Sequence, residues 1–206
     1  MILAPLGMII LKETNNMSDY TLNGVLISCI RGFERDAASE AWWMLSSIMK
    51  TESIDIDPTD VPGLVYASFD TDPRQIMPDV RGFLEEHLDE FRFCLKFIPI
   101  QEWVTTALNL ICSKISEMSH EVSEEDTWRI MVKKRYSSLS RKTIIEQAAM
   151  QVPDGKGVSL DHPDKIIRVE IVGRQTGISI LTPNQMISLE ILRRKEPVSH
   201  FSSERG

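Results

Sequence analysis

The residues in this chain whose types and spacing could do chemistry are cations. Lys133, Lys134 and Arg135 close the stretch TWRIMVKKRY, from Thr127 to Tyr136. Arg141 and Lys142 follow directly on Ser140, and Arg174 sits in the polar middle of HPDKIIRVEIVGRQTGISIL, the stretch from His162 to Leu181 that also carries Lys165. Ammonium and guanidinium groups offer donors and no acceptors, so the chemistry they suit is holding an anion such as phosphate. Their place in the chain supports this. Residues 1–126 carry 9 Lys and Arg against 22 Asp and Glu, whereas residues 127–195 carry 13 against 6. Such polarity within 206 residues suggests that the later segment faces an anion. An unevenly charged solvated surface is the alternative.

Catalytic motifs are missing. There is neither a GxxxxGK[ST] phosphate loop nor a GxGxxG after a strand, and PDGKGVS, Pro153 to Ser159, reads as loop punctuation. His87, His120, His162 and His200 stand alone, without metal-ligand spacing. Glu85, Glu86, Asp89 and Glu90 fall on one helical stretch and read as a solvated face. The expectation is therefore a protein without catalytic residues, metal or cofactor. Cys29, Cys94 and Cys112 form no CxxC pair and read as buried free thiols, which suits a reducing, cytoplasmic setting. The apolar run Ile2 to Leu11 is too short to span a bilayer of roughly 30 Å. It also lacks the basic start and small-residue cleavage site of a secretory signal, so a peripheral extension and no membrane role are expected.

The elements that must position the cations follow from periodicity. Tyr20 to Ile30 is rich in strand formers. From Phe33 to Met49, the stripe Phe33, Ala37, Ala38, Ala41, Trp42, Leu45, Ile48 and Met49 predicts a helix with Trp42 in the core. Asp55 to Gly63 reads as a loop and Leu64 to Phe69 as a strand. Asp72 and Pro73 signal a helix start, with a kink or restart at Pro78, and Phe91 to Ile98 alternates as a strand. Strand, helix, strand, helix, strand predicts a small α+β sandwich of ferredoxin-like type.

In the second half, Trp103, Ala107, Leu108, Ile111, Ile115 and Met118 predict one long helix. In TWRIMVKKRY, Trp128, Ile130 and Val132 alternate with Arg129, Met131, Lys133 and Arg135, so three of the latter four form a basic row on one strand face. Ser140 is a good N-cap for RKTIIEQAAMQV, with Ile144, Ile145, Ala148 and Val152 inward. In the closing hairpin Ile167, Val169 and Ile171 fill one face, and Gly173 and Gly177 bracket the turn. MISLEIL predicts one more strand, followed by a polar tail.

Two passages, RIMVKKRYSSLSRKTIIEQAA and VSLDHPDKIIRVEIVGRQTGISIL, resemble the basic strand, Ser-started helix and final hairpin of the THUMP domain. So does the order helix, strand, helix, strand, strand, over Phe97 to Pro183. The domains expected are an extension over 1–16, a ferredoxin-like unit over 17–96, a THUMP domain over 97–183, and a final strand and polar tail over 184–206. The fold class is α+β, a ferredoxin-like sandwich followed by helices on a small mixed sheet. No room for a catalytic domain follows the hairpin, so the chain resembles the accessory proteins that assist N4-acetylcytidine formation in tRNA. The resemblance implies a non-catalytic adaptor that binds the tRNA acceptor stem and 3′ end, with no DNA. An acetyltransferase would be its partner, and the acidic first half could face a basic partner protein. The site residues are then Lys133, Lys134, Arg135, Arg141, Lys142 and Arg174, gathered on one surface, with Lys165 and Arg193 to Lys195 in second rank. The alternatives are an RNA-binding subunit of another tRNA modification, thiolation or methylation, and a ferredoxin-like regulatory module that binds no RNA.

Overall fold

A computed structural model describes residues 23–51, 54–153 and 157–195. The expected N-terminal extension, His200 and the polar tail after residue 195 lie outside the described residues. The first lobe runs β1 (Gly24–Cys29), α1 (Glu34–Met49), β2 (Asp55–Pro58), β3 (Leu64–Ser68), α2 (Met77–Glu86) and β4 (Cys94–Ile100). Its strands lie in the order β4-β1-β3-β2, each pair antiparallel, a βαββαβ arrangement with one strand more than the sequence reading gave. Ala37, Ala41, Met44 and Leu45 of α1 and Val80 and Leu84 of α2 cover one face of this sheet, packed on Val25, Ile27, Val65 and Phe97.

Several boundaries differ from the sequence reading, each for a local reason. Asp55–Pro58 is an edge strand, where a proline costs no ladder bond. The Asp72 carboxylate accepts the Arg74 N–H at 2.9 Å and closes a separate turn. The second helix begins at Met77, because Pro78 has no N–H to continue an earlier one and sits comfortably in a first turn. β4 starts at Cys94 because the Glu40 carboxylate on α1 takes the N–H groups of Arg92 at 2.7 Å, Phe93 at 3.1 Å and Cys94 at 2.9 Å. Trp42 is 43% exposed, not in the core. The tryptophan facing α2 is Trp43, edge-on to Phe83 at 4.9 Å, and the 100° step between neighbours puts Trp42 on the opposite flank.

The second lobe contains β5 (Glu102–Thr105), α3 (Leu108–Met118), β6 (Thr127–Arg135), α4 (Arg141–Ala149), β7 (Gly157–Val158), β8 (Lys165–Val172) and β9 (Gln175–Leu181). The sheet order is β5-β9-β8-β6-β7, with β6 parallel to β8 and β7 and the other pairs antiparallel. Trp103, expected in a helix, lies in β5, and its indole N–H donates to the Tyr66 hydroxyl of the first lobe at 2.8 Å. Gly173, at φ +61°, makes the two-residue turn between β8 and β9 possible. Gly177 does not flank that turn. It lies inside β9, where a Cβ would meet Ile100 Cγ2 at 2.8 Å, so its job is close approach between lobes.

The expected last strand is instead a short strand and a helix. β10 (Ile187–Ser188) pairs with Phe97 and Lys96 of β4, returning the chain to the first sheet, and α5 (Leu189–Lys195) buries Leu189 and Leu192 in the first lobe's core. The helix-free faces of the two sheets meet over Leu26, Leu64, Tyr66, Ile98, Ile100 and Val172. Ser179 Oγ donates to the Pro99 carbonyl at 2.8 Å, and Arg74 bridges Asp72 and Glu121 across the same boundary.

Candidate nucleic-acid interface

The alternation read in TWRIMVKKRY is real. Trp128, Ile130 and Val132 pack with Ile111, Ile115, Ile144 and Ala148 in the second lobe's core, so period two turns Arg129, Lys133 and Arg135 to the other face. That face is not open water along its length. It looks toward the first sheet, and where the apolar contact between sheets ends it borders a cleft of about 260 Å³. Lys133, Arg135 and Arg168 line it from the second lobe.

Beneath them lies a carboxylate that sequence reading passed over. Glu170 is fully buried, accepting from Arg135 Nη1 at 2.8 Å and from Arg168 Nε at 2.8 Å. A buried carboxylate survives only when paired and hydrogen-bonded, and two guanidinium forks supply that here. In IIRVEIV the signal was the spacing: Arg168 and Glu170 are two apart on one strand and must share a face. Charges alternating with Ile and Val look like a solvated face until a second sheet covers them.

The other expected site residues divide. Ser140 caps α4, its hydroxyl accepting from the Thr143 N–H at 3.4 Å, which leaves Arg141 and Lys142 exposed in the first turn. This is the end where β6 finishes and the β8–β9 turn presents Arg174, with the Gly173 N–H donating to the Arg135 carbonyl at 3.0 Å. Lys133, Arg135, Arg141, Lys142 and Arg174 therefore all lie toward one end of the second sheet, Lys133 and Arg135 on its lobe-facing side and Arg141 and Lys142 on its helix side. Lys134 points to the helix side, where its Nζ donates to the carbonyls of Leu139 at 2.8 Å and Ser137 at 3.3 Å and fixes the entry to α4. Lys165 sits opposite Trp128 at the far end of the parallel β6–β8 pair. The single-surface expectation is thus corrected. Lys134, Arg141 and Lys142 lie on the helix side and Lys133 and Arg135 on the other, because successive strand positions alternate faces and α4 packs on the face of Val132. Lys165 begins a parallel strand a strand length away. Lys142 makes a long ion pair with Glu146 at 3.7 Å. Among the described residues, Lys133, Arg141 and Arg174 hold no side-chain hydrogen bond or ion pair.

The Asp164 carboxylate anchors the start of β6 to the turn before β8. It accepts from Thr127 Oγ1 at 2.7 Å and the Thr127 N–H at 2.8 Å, and these bonds hold it below the usual carboxylate range. A depressed native pKa adds stability that is fully present above the unfolded value of about 3.9 and lost as pH falls through the native one. Asp164→Asn is therefore expected to lower the urea midpoint at pH 7, with the gap closing as the solution is acidified below about pH 3.9. A gap unchanged at pH 2 would assign the effect to something other than the ionised carboxylate.

Residues 107–181 match the THUMP domain family. The chain carries a THUMP domain. The match lies inside the 97–183 span read from sequence and includes every second-lobe residue named above except those of β5. No curated protein matches the chain. Among solved structures, PH1313 from Pyrococcus horikoshii Ot3 superposes with a TM-score of 0.56 at 15% identity, covering 81% of this chain and 55% of that one. TrmN from Thermus thermophilus gives 0.48 at 12% identity, with 76% and 44% covered. A 4-thiouridine synthetase solved with RNA and ATP gives 0.48 at 12%, with 81% and 42% covered. The first likeness is one of fold, and the chain spans about half the length of the proteins it matches. Among the described residues, no group of three His, Cys, Asp or Glu side chains is placed to hold a metal, and no helix is long and apolar enough to cross a membrane.

Proposed function

We propose that the protein binds tRNA through the THUMP domain and presents it to a separate modification enzyme, with N4-acetylcytidine formation as the reaction served. The observation that supports the binding reading is that Lys133, Arg135, Arg141, Lys142 and Arg174 all lie toward one end of the sheet, on its two sides and its terminal turn, three of them with no side-chain partner among the described residues. Double-stranded RNA is held mainly through phosphates and 2′-hydroxyls, so cations on a rigid sheet and at a helix start fit a folded RNA stem. The acceptor stem and 3′ end rest on the resemblance of Arg129–Ala149 and Val158–Leu181 to the THUMP domain, and the adaptor role and acetylation on the likeness of the ferredoxin-like and THUMP pair to the acetylation accessory proteins. The exposed acids Asp79, Glu85, Glu86, Asp89 and Glu90 of the first lobe face away from that sheet's core and suit contact with a basic enzyme partner.

The experiment is tRNA binding by Lys133→Ala/Arg141→Ala across a salt series. Both side chains are exposed and neither has a structural partner among the described residues, so the fold is retained. The log–log salt slope is expected to fall by about 0.9 for each phosphate left unneutralised, roughly two units in the double variant, with affinity reduced at every salt concentration. An unchanged slope removes this surface. Lys165→Ala tests whether the footprint reaches the far end of the sheet. Co-purification distinguishes the reactions: an acetyltransferase supports the proposal, and a thiolation or methylation enzyme replaces it.

A further inference from the structure

The cleft between the sheets has a second wall that the THUMP domain does not supply. Ser28 of β1, Lys96 of β4 and Ser188 of β10 occupy matched positions on adjacent strands, Ser28 opposite Lys96 and Lys96 opposite Ser188. They form a polar row across a sheet face that elsewhere carries Leu26, Leu64, Tyr66, Ile98 and Ile100. Facing this row stand Lys133, Arg135 and Arg168, and Arg193 of α5 closes one side with Glu190. Five of the ten lining residues are cationic and one is acidic. Arg135 and Arg168 share Glu170, Arg193 spends part of its guanidinium on the Phe91 carbonyl, and Glu190 is engaged by Arg194. Lys96 and Lys133 have no partner among the described residues. The Ser188 hydroxyl is buried at the cleft without a hydrogen-bond partner among the described residues, which native interiors avoid. A donor-rich, cation-lined cavity with an unspent hydroxyl asks for a multivalent anionic acceptor. Its size, about 260 Å³, is under the roughly 300–1,000 Å³ of a pocket for a whole drug-sized ligand. It fits one tetrahedral anion and its water.

Resting on the tRNA-binding reading, we propose that this cleft binds a phosphate group of the RNA, with Lys96 and Ser188 from the first lobe as new contacts beside Lys133 of the THUMP domain. Arg135 and Arg168, set by Glu170, present their remaining donors to the same anion. The RNA is thereby gripped by both lobes, and the strand that returns at residues 187–188 is part of the site. The phosphate could be an internal phosphodiester or could come from free inorganic phosphate, and the two sources give different results below.

The test follows the line width of inorganic phosphate by ³¹P NMR with the full chain, then adds tRNA, for the parent, Lys96→Ala and Ser188→Ala. Lys96 is exposed, and Ser188→Ala removes only an unpartnered hydroxyl, so both variants fold. Expected are broadening by the parent, its reversal by tRNA, reduced broadening by both variants, and tRNA affinity about tenfold lower in Lys96→Ala. Phosphate broadening that tRNA does not reverse would overturn the RNA assignment in favour of free phosphate. Tight tRNA binding with affinity and salt slope unchanged in Lys96→Ala would overturn the cleft while leaving the tRNA-binding reading intact. Failure of the parent chain to bind tRNA would overturn both.

Discussion

Glu170→Leu is expected to cost about 3–5 kcal/mol of unfolding free energy. The carboxylate is fully buried and is the shared partner of Arg135 and Arg168, whose side chains are 21% and 11% exposed. Removing it leaves two poorly solvated guanidiniums side by side, so an uncompensated-charge penalty and a mutual repulsion both appear. For a chain of this length the melting temperature should fall by about 6–20 °C. Thermal or urea unfolding checks this, and a companion variant makes the cause legible. Replacing all three residues together, Arg135→Met, Arg168→Met and Glu170→Leu, should recover most of the loss, because a desolvated ionic cluster is readily replaced by apolar side chains of similar volume. A loss below about 1 kcal/mol for Glu170→Leu alone would mean that water reaches the guanidiniums and that the cluster is not the buried group described.

The second large effect is expected at Gly24. A Cβ there would lie 2.0 Å from the Ala67 carbonyl oxygen, 2.9 Å from its carbon and 3.0 Å from Ser68 Cα. All three are backbone atoms, so no rotamer change relieves the overlap. β1 is a central strand paired on both sides, with Gly24 opposite Ser68 and Ile100. Gly24→Ala must therefore push β3 away and break ladder bonds. Overpacking costs about 1–3 kcal/mol where side chains can yield, and here a loss at or above the top of that range is expected. Amide exchange gives the local readout: protection should fall first at Leu26 and Tyr66 beside the clash. Full protection there with normal stability would show that the strand end shifts freely.

What the sequence made legible is what local chemistry dictates. The two faces of β6 follow from period two, the start of α4 from Ser140, and the hairpin from apolar alternation around Gly173. These are decided within a few residues, so no tertiary contact could overrule them. The misses share another character. Trp103 fell on a helical spacing with Ala107 and Ile111, but its indole pairs with Tyr66 in the other lobe. Met186 to Leu192 read as one strand, but the free edge of β4 pairs only with Ile187 and Ser188, and the first lobe's core takes Leu189 and Leu192 from a helix. Among the proposed contacts, Lys133, Arg135, Arg141, Lys142 and Arg174 were legible as candidates because cations near a strand end or helix start announce themselves. Lys96 and Ser188 gave no such signal. Their meaning depends on which strands lie side by side and which sheet covers them, and that is fixed by long-range topology.

The return of residues 187–195 to the first sheet bears on how the molecule comes apart. A linear pair of lobes could melt in two steps or be separated by cutting between them. In this chain the first lobe borrows its outermost strand and two core leucines from beyond the second, so severing the connection near residue 101 would strip β4 of its neighbour and open the apolar interior. Denaturation should accordingly be all-or-none across both lobes, with one heat-absorption peak. A protease that nicks the chain after residue 181 should loosen the far end of the molecule from its cut.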